Sequence, residues 1–171
     1  MSTKSRLSWR LGPRPVPLDD YRIMLREMLE AIAPVAEWDP RVGLSGIDVL
    51  TESEQRLALN QWFSDVEQRL SCLRQRVDRM AQIHPPVDSL MELHQAIVTL
   101  GVDHVGCVGM RIDALTLTGS DETKARDCKQ RSIVYRSHLG EDSEQLTRRI
   151  DHLRRHHPGL LAQLDLPATM Q

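Results

Sequence analysis

Apolar residues recur along this chain in steps of three and four. Leu18, Tyr21, Leu25, Met28, Ile32 and Val35 follow a 3-4-3-4-3 spacing, the signature of a helix with one apolar seam. It predicts a first helix over Leu18–Val35. Asp19 and Asp20 sit in its first turn, where negative charge complements the helix dipole. Pro34 and then Trp38-Asp39-Pro40 are expected to end it. The connection over residues 37–52 contains Pro40, Gly43 and Gly46 and is long for a bundle loop, so Trp38, Leu44 or Ile47 is expected to pack.

The second seam is Leu59, Phe63, Val66, Leu70, Leu73, Val77 and Met80, spaced 4-3-4-3-4-3. Ser53 is the expected cap, Glu54 supports the first turn, and His84-Pro85-Pro86 stops the helix. A hairpin with the first helix, or a dimer seam, follows from two such faces. A third helix begins after Val87, capped by Asp88 or Ser89, with Leu90, Leu93, Ile97, Leu100, His104 and Cys107 on one stripe. Its continuation through Gly106 and Gly109 requires either a close neighbour or a bend, and residues 105–117 also allow a short strand. A fourth helix is predicted from Asp121 to His138, with Ala125, Cys128, Ser132, Tyr135 and Leu139 inward and Gly140 closing it. A fifth runs from a Ser143 cap to His157, stopped by Pro158-Gly159, and Leu160, Leu161 and Leu164 form one further turn.

The fold class is therefore all-α: a bundle of four to five helices with coiled-coil-like seams. Residues 1–17 read as a flexible, basic Pro/Arg-rich arm, because Pro13, Pro15 and Pro17 prevent a helix. Residues 18–166 form one domain, with a heptad half (18–83) and a His/Cys half (87–166). The chain has 171 residues, enough for one core without disulfides or metal. Aromatics make up 4% of it, which argues against a β sandwich or barrel, and five of the six lie at or before Phe63.

Net charge is −2, so the whole chain is not a polycation. Arginine far outnumbers lysine, which stands only at Lys4, Lys124 and Lys129. That bias suits a GC-rich bacterial coding sequence. Three cysteines are not a disulfide framework. No apolar run suggests a transmembrane helix or signal peptide, so a cytoplasmic protein without membrane insertion is expected.

All seven histidines lie at or after His84. His152 and His156 are four apart and share a helix face. With His104 and Cys128 they offer the N/S donors that zinc prefers. Asp103, Asp113 and Asp127 are candidates for the neighbourhood of His104. The order His104, Cys128, His152-x-x-x-His156 has gaps of 24, 24 and 4 and resembles the chemoreceptor zinc-binding domain, a bacterial helical bundle. Val102–Gly119 is similar to that family's first-histidine helix, and the resemblance covers about residues 90–160. Cys107 stands where the family has Trp, and the Cys128-Lys129-Gln130-Arg131-Ser132-Ile133 segment lacks the family's Gly and Trp. The resemblance implies zinc-dependent control of a signalling partner.

Arg148, Arg149, Arg154 and Arg155 with His157 form a basic face near a helix C-terminus. It either stabilises that helix or binds an acidic protein, phosphate or nucleic acid. There is no phosphate loop, nucleophile elbow or His-Glu-x-x-His motif, so no enzyme is expected. The main functional expectation is a non-enzymatic adaptor, chaperone or regulator acting through helix-mediated protein–protein contact or homo-oligomerisation. A zinc-binding sensory domain and a nucleic-acid accessory protein are the alternatives.

Overall fold

The computed structural model describes residues 15–38, 46 and 49–166. Among the described residues five α-helices make the fold: α1 (Leu18–Ala36), α2 (Glu52–Ala81), α3 (Met91–Leu117), α4 (Glu122–His156) and α5 (Pro158–Leu164). A 3-10 turn, Asp88–Leu90, leads into α3. α3 is the central element. It packs against α1 and α2 on one side and runs along α4 on the other, while α5 folds back on α4.

The seams read from the sequence are the seams that pack. Tyr21, Leu25, Met28, Ile32 and Val35 of α1 meet Val66, Leu70, Leu73, Val77 and Met80 of α2 in one buried cluster. Leu90, Leu93, Ile97 and Leu100 from the α3 side join them, as do Leu146, Ile150 and Leu153 of α4. Pro34 lies inside α1, whose helix runs on to Ala36. Of the residues expected to pack in the following connection, Trp38 does so against the core. Leu44 and Ile47 lie outside the described residues.

The cap of α2 is Thr51, two residues before the expected Ser53. Its hydroxyl and backbone N–H both engage the Glu54 carboxylate, at 2.6 and 2.9 Å, within a capping box. Thr51→Ala is expected to cost about 1 kcal/mol, read by urea denaturation. An unchanged midpoint would mean that this end of α2 frays without cost.

α3 is helical through residues 105–117, so the strand alternative does not apply. The glycines are tolerated because neighbours come close. A Cβ on Gly106 would sit 2.6 Å from the Tyr135 ring of α4. The largest departure from expectation is α4, a single helix of 35 residues where two were predicted. Gly140 does not close a helix, and Ser143 does not cap one; its hydroxyl donates to the Leu139 carbonyl one turn back. The inward stripe simply continues from Leu139 through Asp142 to Leu146.

Residues 15–17, expected to belong to a flexible arm, are held in place. Val16 donates its N–H to the His84 carbonyl and packs against the core, so residues 15–17 are docked. Residues 1–14 lie outside the described residues. At the far end of α5, Asp165 adopts a left-handed backbone and pairs with Arg26 of α1, while Leu164 and Leu166 are buried.

Candidate functional site

The continuity of α4 decides the fate of the expected zinc ligands. Cys128 and His152 are 24 residues apart on one helix, which places them about 36 Å apart along its axis. They cannot hold one ion. His152 and His156 do stack, with ring centroids 4.5 Å apart, but both are exposed. Cys128 is half-buried and His104 faces a different set of neighbours. Among the described residues, no group of three or more His, Cys, Asp or Glu side chains is placed to hold a metal ion.

The predicted basic face is occupied by its own carboxylates. Arg148 pairs with Glu144 at 2.8 Å, Arg149 with Glu92 of α3 at 2.7 Å, and Arg154 with Asp151 at 2.6 Å. Arg155 donates to the Asp151 carbonyl. His157 forms the α4–α5 corner, its N–H bonded to Leu153 O and its carbonyl accepting from Leu160 and Leu161. These contacts serve the helix ends and leave little free charge.

Two other constellations emerge where α3 meets α4. The first is a buried carboxyl pair. Asp103 of α3 and Asp142 of α4 are each more than nine-tenths buried, and Asp103 lies beside the Asp142 carboxyl. One oxygen of Asp142, Oδ2, is buried without a hydrogen-bond partner among the described residues. His138 Nδ1 lies 3.6 Å from Asp103 Oδ2, and His104 is near Asp142. Burial, followed by the proximity of Asp103, raises the Asp142 carboxyl to about 6. Burial pushes His104 down, against the opposing pull of Asp142. Of the three aspartates considered near His104, Asp103 is the one joined to this cluster.

The second is a cationic groove between the free ends of α3 and α4. Its volume is about 540 Å³. Ala114 and Leu115 of α3 and Ala125 and Ile133 of α4 supply its apolar lining. Arg111, Arg126, Lys129 and Arg136 surround them, with Glu122 as the single acid among the described residues. None of these four cations has an ion-pair partner among the described residues. Arg111 instead lies over the Trp38 ring, 5.0 Å from its centroid. Trp38 continues into Trp62 and Phe63 of α2, with centroids 5.4 and 4.9 Å apart, and this aromatic cluster closes the end of the bundle. A smaller cleft beside Trp38 adjoins the groove at Arg111 and Arg136. The nearby Cys107 thiol is raised, chiefly by burial, which leaves it a poor nucleophile.

The sequence reading missed this groove. Its cations are scattered over 26 positions and two helices, and no local cluster marks them. The available signal was spacing: Arg126, Lys129 and Arg136 share a helix face with Ala125 and Ile133.

No family model, curated protein or solved structure matches this chain. Among the described residues, no helix is long and apolar enough to cross a membrane.

Proposed function

We propose that this chain is a non-enzymatic helical adaptor or regulator that seats a protein partner on the free end of its α3–α4 hairpin. The groove carries this reading: an apolar lining, a rim of cations without an ion-pair partner among the described residues, and no described helix over it. Leu115 and Ile133 are 42% and 53% exposed there, an apolar surface of the kind that interaction sites present. The lining supports binding rather than chemistry. Among the described residues it holds no histidine or cysteine, and Ser132 donates its hydroxyl proton to the Lys129 carbonyl.

Site-specific photocrosslinking in the native cell tests this. A crosslinker at Ile133 should give a discrete protein adduct, and one at the equally exposed Ile23, near the start of α1 and away from the groove, should not. The adduct should disappear in the Arg126→Glu/Lys129→Glu variant. Adducts at Ile23 only, or adducts indifferent to the charge reversal, would remove the groove as the docking face.

A further inference from the structure

The geometry points to a specific occupant for this groove: an amphipathic helix with an apolar stripe flanked by acidic residues. The inference rests on the docking reading above and adds the chemistry of the partner.

Shape is the first argument. On α3 the lining positions are Arg111, Ala114 and Leu115, continued by its C-cap Thr118, and on α4 they run from Glu122 to Arg136 in the same three-and-four rhythm. Each helix therefore offers one continuous face. The α4 face spans 15 residues, about 21 Å or four helical turns. A helix of that length laid between the two ridges would repeat, at this level, the helix-on-helix packing that α1 gives α3 nearer the centre. α1 itself stops at Ala36, and its last turn borders only the neighbouring cleft.

Charge is the second. Four cations face one acid, and that acid already accepts the Gly119 N–H at 2.8 Å. A basic helix would be repelled, whereas carboxylates on both flanks of an incoming helix would meet a cation on either ridge. Arg111 and Arg136 stand where the two clefts join, and their planar forks suit a partner carboxylate.

The apolar lining separates this partner from a nucleic acid. A phosphodiester backbone would satisfy the cations but would leave Leu115 and Ile133 against charged, hydrated groups. An amphipathic helix satisfies both.

Fluorescence anisotropy with the full chain tests the chemistry. The probe is a roughly 15-residue peptide with Leu at i, i+3, i+4 and i+7 and Glu on both flanks. It should bind saturably, and more weakly as salt rises. Replacing Glu by Lys, or scrambling the sequence to break the Leu stripe, should each weaken binding by about tenfold or more. The Arg126→Glu/Lys129→Glu variant should show the same loss, with an unchanged circular dichroism spectrum. Equal binding of the scrambled peptide would overturn the helix seat. A DNA duplex that binds more tightly and displaces the peptide would overturn the acidic-helix assignment in favour of nucleic acid. An Ile133 adduct in cells with no peptide binding would overturn the partner chemistry and leave the docking face standing. Peptide binding without any adduct in cells would do the reverse.

Discussion

Gly101→Val is expected to destabilise the protein by about 3 kcal/mol, the upper end of the cost of overpacking a core. Gly101 is buried where α1, α2 and α3 come together. A Cβ built on it would lie 2.2 Å from the Met28 methyl and 2.7 Å from a Val77 methyl. Met28 has a flexible end, but it is fully buried and has nowhere to retreat. Val77 is β-branched and stiff on its helix. Valine would add two further methyls to this conflict. The improved helix propensity offsets less than about 1 kcal/mol of it. In a chain of this size the loss corresponds to a fall in Tm of roughly 6–12 °C. Gly140→Ala is the matched control. Gly140 is exposed in the middle of α4 and nothing lies within 4 Å of a Cβ there, so alanine should stabilise by about 1 kcal/mol. Thermal unfolding of both variants checks the packing: equal stabilities would mean that α1 and α2 do not close on α3 at Gly101.

Asp142→Asn is expected to stabilise the protein at pH 7.5 and to lose that advantage in acid. Asp142 is raised from 3.8 to about 6 in the folded state, by burial and then by Asp103. The folded protein therefore binds this proton more tightly than the unfolded chain. Acidification from pH 6 towards 4 adds stability through this group, and the stability is lost as pH rises through about 6. A shift of about two units corresponds to at most about 3 kcal/mol at neutral pH. Asparagine removes the buried charge while keeping the shape, and its amide can donate to Asp103. His94 and His104 work in the opposite direction. Burial is the first cause of lowering in both, so their contribution falls as pH drops through 6.5. The wild-type profile is the sum of these opposed slopes. The difference between wild type and Asp142→Asn follows the carboxyl: it should be largest at pH 7.5, shrink as pH falls through about 6, and approach zero only below about pH 3.8. Urea denaturation across that range measures it. A variant that is less stable at pH 7.5, or a gap that does not change with pH, would show that the pair carries no strained charge.

Much of this fold is legible in the residues. The seams of α1 and α2 predict the buried faces because a helix buried on one side must repeat its apolar residues every three or four positions. Pro85, Pro86 and Gly119 mark boundaries by backbone chemistry alone. The failures have equally local causes. Thr51 and Ser53 both carry a hydroxyl ahead of a helix, and only the backbone shows which one meets Glu54. Gly140 with Ser143 resembles a helix end followed by a cap. In the folded chain Tyr135, Leu139, Leu146, Ile150 and Leu153 pack on neighbouring elements, and tertiary burial holds the helix through a single glycine whose intrinsic cost is about 1 kcal/mol.

The sites divide along the same line. The sequence by itself determined the helical class, the two heptad faces and the types of residue available for chemistry, because periodicity and turn residues act over a few positions. Only the tertiary structure decided which of those residues meet. One unbroken α4 carries Cys128 away from His152, supplies Glu144 and Asp151 to its own arginines, and brings Asp142 against Asp103. It also sets Arg126, Lys129 and Arg136 opposite Arg111 across an apolar floor. Side-chain meetings across two antiparallel helices depend on register, and register is set by the packing of the whole pair.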